Sequence, residues 1–246
     1  VFVEKPLCLT FSELDKIKEF YPSPITHHPS PHLMVGYNRR FAPLTRLLNN
    51  HFSDGPKAMI YRINAGAIPK ESWIQDREFG GGRIIGEACH FIDFLTFMAG
   101  ALPTHVHTAA LPDPHGLNDT VSINLSFADG SIGTVCYFAN GSKKLPKEYI
   151  EIHQNGVSGV LTDLKELRIH GQGKPVKKKL FSQDKGQKEM VRAFIDTIKS
   201  GGPPLIPFEQ IVRVSQVTFA ALDSIRTRQA FGIDTPVSPP ADPTHP

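Results

Sequence analysis

Three consecutive glycines, Gly80-Gly81-Gly82, open onto an apolar-periodic segment that runs to Gly100. Glycines in a row permit backbone conformations and close approaches that a Cβ forbids. A glycine just past the last periodic residue is a helix stop. The segment between them predicts a helix with Ile84, Ala88, Phe91, Leu95 and Met98 along one stripe. At about 100° per residue, His90 falls roughly 130° from the centre of that stripe, with Glu87, Phe94 and Phe97 as its neighbours. A histidine, a carboxylate and two phenylalanines on one face fit three things: the lining of a site, an interface, or a structural histidine satisfied beneath another element.

The 246 residues suffice for one large domain or one and a half ordinary ones. With 40% hydrophobic and 21% charged residues, the chain can bury a substantial core. A net charge of +3, from 27 basic and 24 acidic residues, is too balanced to point to nucleic acid or an acidic membrane. The basic run Lys174–Lys179 has no aromatic residue inside it and reads as a solvated strand end. No apolar run approaches the ~20 residues needed to span a bilayer. Cys8, Cys89 and Cys136 are odd in number and widely spaced, which fits neither a disulfide framework nor a zinc ribbon. Reduced thiols suit a cytoplasmic protein. His27, His28 and His32 cluster in a loop with four prolines, which lacks the fixed geometry metal ligands need, so no metal is expected. The chain opens on an apolar strand without an initiator methionine, as expected of a piece of a longer protein.

Val1–Val3 reads as a strand. A helix over Glu13–Phe20 follows, capped by Ser12, with Leu14, Ile17 and Phe20 on one side. Leu33–Gly36 reads as a second strand and Pro43–Leu48 as a second helix. This order favours a parallel α/β start. From Ala58 the character changes: alternating runs at 58–65, 105–110, 121–127, 132–138 and 149–153, with further pieces up to Leu180, predict strands. Ala128-Asp129-Gly130-Ser131 is a hairpin turn signal. Helices are expected over about Gln187–Ser200 and Phe208–Arg228, and a mobile, proline-rich tail from Gly232. The predicted fold class is α/β (α+β): an open, mostly antiparallel sheet with helices on one face, preceded by the end of a Rossmann-type domain. The bare sheet face predicts a homodimer or tetramer.

No G-x-G-x-x-G, P-loop, nucleophile elbow or H-E-x-x-H is present. Three stretches carry chemistry if they converge. Glu4-Lys5-Pro6 ends a strand, where ligands of open α/β sheets bind, and a part-buried lysine there can aid proton transfer. Tyr37-Asn38-Arg39-Arg40-Phe41 ends the next strand and is rich in donors for hydroxyls, carboxylates or phosphates. His90 offers a general base.

V-E-K-P-L, then G-Y-N-R-R-F, then a glycine triplet followed eight residues later by His90 and three later by Asp93, resembles the Gfo/Idh/MocA family. Lys188-Glu189-Met190 with Phe194, the Gly-Gly-Pro-Pro turn and the long helix from Phe208 extend the resemblance to about Arg228. It implies a Rossmann remnant over residues 1–40, a substrate and oligomerisation domain over 41–231 and a tail over 232–246. It also implies hydride transfer between NAD or NADP and the hydroxyl-bearing carbon of a sugar, nucleotide-sugar or cyclitol. Glu4, Lys5 and Pro6 would lie at the cofactor, Lys5 and His90 would be catalytic, and Tyr37, Asn38, Arg39 and Trp73 are candidate substrate contacts. Two departures stand out. The dinucleotide fingerprint is absent, and Gly86 replaces the aspartate that commonly precedes the histidine by four residues. Glu87 is the candidate to orient His90 in its place; the other reading is a ligand-binding and oligomerisation domain without catalysis.

Overall fold

The computed structural model describes residues 1–21, 32–69, 71–76, 79–112, 116–171 and 173–233. It opens with β1 (Phe2–Val3), α1 (Phe11–Phe20) and β2 (Met34–Val35). β1 and β2 pair in parallel, Phe2 beside Met34 and Val3 beside Val35, as the strand–helix–strand order predicts. α1 begins two residues earlier than its sequence pattern suggests. Thr10, rather than Ser12, caps it: its hydroxyl accepts from the Glu13 N–H while the Glu13 carboxylate accepts from the Thr10 N–H. Leu14 is the buried residue of this helix. Phe20 lies six residues on, about 120° round the helix, and is 86% exposed rather than facing inward. The proline-rich loop lies outside the described residues.

A short 3-10 turn, Asn38–Phe41, leads into α2 (Pro43–Asn49), with proline at its first position. The main sheet contains β3 (Ala58–Asn64), β4 (Pro103–Ala110), β5 (Val121–Phe127), β6 (Ile132–Phe138), β7 (Glu148–Gln154), β8 (Val157–Thr162), β9 (Glu166–His170), β10 (Val176–Lys179) and β11 (Phe231–Gly232). Among the described residues its order is β10-β9-β8-β7-β3-β6-β5-β4-β11. Every neighbouring pair is antiparallel except β3 and β6. β3 slots between the β4–β6 meander and the β7–β10 meander, antiparallel to β7 and parallel to β6. The expected tail begins later than Gly232: Phe231 pairs with Val106, Gly232 pairs with His105, and the Ile233 N–H donates to Thr104 O at 2.8 Å. Residues 234–246 lie outside the described residues.

Alternation along the strands divides the sheet into two faces. Met59, Tyr61, Ile63, Val135, Ile150 and Leu161 are buried on the inner face. α3 (Cys89–Ala99), α4 (Gln187–Ser200) and α5 (Phe208–Thr227) complete the helices, and α2, α3 and α5 pack on the sheet from this side. On the outer face Ile60 lies beside Thr134 and Glu151, and Thr134 beside Asn124. Among the described residues no helix covers that row, and Ile60 is 41% exposed. The bare face is therefore mixed in polarity rather than plainly apolar.

The central helix differs from its predicted form in two ways. After Gly82 and Arg83 it passes through a π-helical turn, Ile84–Ala88, and it is α-helical again from Cys89. Nor does it have a half-exposed face. Of α3 only Phe97 escapes full burial, and even that ring lies under the Arg40 guanidinium at 5.3 Å. Tyr61 meets both Phe91 and Phe94 edge-on at 4.9 Å. A helix buried on every side belongs inside a core, and the nine-stranded sheet with its helices provides one.

Gly186, just before α4, locks the end of the chain against the 3-10 turn. Its φ is +84°, and a Cβ there would meet Ala42 N at 2.4 Å and Asn38 O at 2.5 Å. Both contacts are backbone, so neither can swing aside. Gly186→Ala should cost at least about 3 kcal/mol. Gly201→Ala, equally left-handed at φ +67° but in open space, should cost only about 1–2 kcal/mol. Urea midpoints of the two variants test this; equal losses would show that the close approach contributes nothing.

Candidate active site

Lys5, at the carboxyl end of β1, and His90, on the first turn of α3, are brought to one place by the π-helical turn. The Lys5 ammonium donates to Gly86 O at 2.8 Å, one turn ahead of His90. A π-turn leaves carbonyls off the ordinary i to i+4 ladder, and here one of them holds a lysine. Gly86 thus contributes a backbone oxygen where a side chain was sought. The Lys5–Pro6 peptide is cis, and Glu4 is exposed beside it.

His90 is 9% exposed, and its Nδ1 is buried with no hydrogen-bond partner among the described residues. The Tyr37 ring lies edge-on to it at 6.1 Å. Burial, then Arg39, Lys5, Lys185 and Lys147, hold its imidazole well below the usual range. It is accordingly neutral at physiological pH and able to accept a proton.

Among the described residues Glu87 makes no hydrogen bond to His90. Its carboxylate accepts from the Tyr137 hydroxyl and faces Arg83 at 3.5 Å. A wheel of 3.6 residues per turn puts Glu87 and His90 on one side. The wider π-turn breaks that phase, and Glu87 swings toward β6. Burial opposes its ionisation, but Tyr137, Arg83, Lys147 and Lys5 outweigh burial and hold the carboxyl below its ordinary value.

The donors of the Tyr37–Phe41 stretch are largely spent inside the protein. Asn38 Nδ2 donates to Lys185 O at 2.7 Å. Arg39 grips Glu148 with Nε at 2.9 Å and Nη2 at 3.0 Å, and its guanidinium covers the Phe91 ring at 4.8 Å. Arg40 forks onto Asp93 and donates to Gln210 at 3.1 Å. Burial pushes the Asp93 carboxyl up to about 6, with Arg40 pulling the other way. The Tyr37 hydroxyl is buried without a partner among the described residues. Trp73 sits on a separate 3-10 turn, Trp73–Gln75, and is 69% exposed. Among the described residues it has no ring or hydrogen-bonded contact with the Lys5–His90 pair.

No motif or periodicity marks Lys147, Glu148 or Lys185 in the sequence, yet all three border the site. Glu148 is fully buried, accepts from the Tyr61 hydroxyl and from Arg39, and lies 3.4 Å from Lys185 Nζ. Burial resists its charge, but Arg39, Tyr61 and Lys185 bring its carboxyl down to about 2. Lys147 adjoins it in the chain and is electrostatically coupled to Glu87, Glu148 and Lys185. Only their places at the starts of β7 and α4 hint at a role.

A neutral histidine among cations, beside a lysine at the end of a parallel strand, has the chemistry to handle a hydroxyl. Residues 58–233 match the family model described as the oxidoreductase family, C-terminal alpha/beta domain. The chain belongs to the Gfo/Idh/MocA oxidoreductase family. It is similar to the rhizopine catabolism protein MocA of Rhizobium meliloti, 27% identical over 144 residues, which are 55% of this chain and 43% of that one. The match thus spans less than half of that relative's length. Levoglucosan dehydrogenase, solved with NADH and levoglucosan, superposes with a TM-score of 0.78 at 18% identity, covering 95% of this chain and 73% of that one. UDP-N-acetylglucosamine 3-dehydrogenase of Acidithiobacillus ferrooxidans gives 0.74 at 17%, covering 92% and 70%. Aldose-aldose oxidoreductase of Caulobacter crescentus, solved with glycerol, gives 0.74 at 16%, covering 94% and 71%. At these identities the likeness establishes the fold. Among the described residues, no helix is long and apolar enough to cross a membrane.

The Glu148 carboxyl titrates near 4.5 when unfolded and near 2 when folded. Its contribution, roughly 3 kcal/mol, is therefore present above about pH 4.5 and lost as pH falls toward 2. Glu148→Gln should flatten that acid limb in thermal melts and cost about 3–5 kcal/mol at pH 7, because Arg39 is left buried without a counter-charge. An unchanged acid limb would place the titration elsewhere.

Proposed function

We propose that this chain supplies the substrate side of an NAD(P)-dependent oxidoreductase acting on a hydroxyl of a sugar, nucleotide-sugar or cyclitol. The observation that carries the reading is the neutral imidazole of His90, buried beside the anchored ammonium of Lys5. Residues 1–40 would be the end of a dinucleotide-binding domain, and 41–231 the substrate and oligomerisation domain. The unpaired cysteines accord with a cytoplasmic setting.

The residues present fit a nicotinamide. Lys5 stands at the carboxyl end of a parallel strand, where such ligands bind, and the backbone carbonyl of Gly86 fixes its ammonium close to His90. Glu4, Lys5 and Pro6 would border the ring, which when bound accepts or gives the hydride. His90 removes the hydroxyl proton through the ring nitrogen that is not sealed in the core. Lys5 meets the oxygen as it gains negative charge. Tyr137 and Arg83 hold Glu87 ionised, so that it balances part of the surrounding positive charge. Asn38 and Arg39 act at one remove, by seating Lys185 and Glu148. The exposed Trp73 ring offers a face to a sugar.

A second reading, a ligand-binding and oligomerisation domain without catalysis, is favoured by one observation: His90 Nδ1 has no orienting partner. NADH and NADPH titrations followed by fluorescence separate the two, since absence of cofactor binding supports the second. Under the first reading, His90→Ala in the protein assayed with NAD(P) and a sugar panel lowers kcat at least ~10²-fold. The acid limb of kcat/KM, which tracks His90, falls well below pH 6.5, because burial and neighbouring cations lower its pKa. Undiminished turnover in His90→Ala would remove this residue from the mechanism.

The uncovered sheet face fits a second copy of the chain. Sedimentation at micromolar concentration should give a dimer or tetramer; a clean monomer throughout would sink that assignment.

A further inference from the structure

The charges around His90 do not balance. Lys5, Arg39, Lys147 and Lys185 all act on its ring. Glu148 answers Arg39 through two hydrogen bonds and lies within 3.4 Å of Lys185. Glu87 is turned to Tyr137 and to Arg83, which is also 3.7 Å from Asp119. The cluster therefore holds five cations, Lys5, Arg39, Arg83, Lys147 and Lys185, against three carboxylates, Glu87, Asp119 and Glu148. Three of the five cations have no carboxylate to themselves. Lys5 is bonded to a neutral carbonyl. The Lys147 ammonium makes no ion pair or hydrogen bond among the described residues, although it sits next to Glu148 in the chain. Lys185 shares a carboxylate that Arg39 already occupies on both oxygens.

Unanswered positive charge in a part-buried site raises the local concentration of anions and rejects cations. It is poorly matched to a neutral sugar, which would have to sit among ammonium groups without relieving them. Lys5 is committed to the reacting oxygen under the reading above, which leaves Lys147 and Lys185 for a group elsewhere on the substrate. These two lysines flank Glu148 from different elements, one at the start of β7 and the other at the start of α4, and both act on His90. We infer that the site is built for an anionic sugar or polyol, whose carboxylate or phosphate meets Lys147 and Lys185 while a hydroxyl meets His90. The inference rests on the dehydrogenase reading of the site, but its test does not use turnover.

Calorimetric titration of the protein with D-glucose, D-glucuronate, D-glucose 6-phosphate and inorganic phosphate reads it directly. At low ionic strength one or both charged sugars should bind at least ~10-fold more tightly than D-glucose, and the lead should shrink at high salt. Which of the two leads distinguishes a carboxylate site from a phosphate site. Lys147→Met and Lys185→Met should each reduce the ratio of charged to neutral affinity, with folding verified by circular dichroism. Equal affinity for charged and neutral sugars overturns the inference yet leaves the dehydrogenase reading intact, since that reading stands or falls on cofactor binding and turnover. Three other outcomes also overturn it: no sugar binding at all, inorganic phosphate matching the sugar phosphate, or a charged-sugar lead that survives in the Lys147→Met, Lys185→Met double variant.

Discussion

The buried pair between Arg39 and Glu148 is the contact on which the site's geometry depends. It joins the segment behind β2 to the first residue of β7, so the two parts of the chain that carry Lys5 and the main sheet are held in one register. Burying two charges is expensive, and such pairs often contribute little net stability against an apolar alternative. This one recovers part of the cost. Both guanidinium bonds are well formed, Tyr61 adds a hydroxyl, and Phe91 offers its face to the cation. An apolar pair of the same volume would hold the elements together, but it would not seat Lys185 or place a positive field on His90.

Arg40 repeats the device in another direction. Successive residues of a 3-10 turn point about 120° apart. Arg39 and Arg40 therefore reach different elements from one short stretch, the first β7 and the second α3 through Asp93. Between them they fix the helix that carries His90 against the sheet. Gly186 closes the arrangement by letting the start of α4 touch the turn's backbone. The Tyr37–Phe41 stretch is thus better understood as a rivet than as a row of substrate donors.

Much of this fold is legible in the sequence because the sheet has one dry face. Period-two alternation at 121–127 and 132–138, joined by Asp129-Gly130, admits little but a hairpin, and the parallel start follows from the order of strand and helix. The internal wiring of the site is much less legible. Hydrophobic periodicity assumes a constant helical pitch, and one π-turn at Ile84–Ala88 is enough to move Glu87 off the histidine's side. Donor-rich stretches look alike whether their partners are substrates or buried carboxylates. Glu148 and Asp93, the partners here, lie 109 and 53 residues away. Lys147 and Lys185 carry no local signature because their relevance is a property of the assembled electrostatics.

That electrostatics cuts two ways for chemistry. Each cation that keeps His90 neutral also makes it a weaker base, since a proton arriving on the ring joins an already positive cluster. The same cations lower the energy of an alkoxide forming beside them. Under the proposed dehydrogenase reading the two effects would meet at one hydroxyl: the field that discourages the imidazole from taking the proton would encourage the substrate to release it. With no carboxylate on Nδ1 among the described residues to stabilise an imidazolium, the balance would lean toward the oxygen. Catalysis here would then depend more on Lys5 and its neighbours acidifying the hydroxyl than on the basicity of His90, in contrast to a histidine backed by an aspartate.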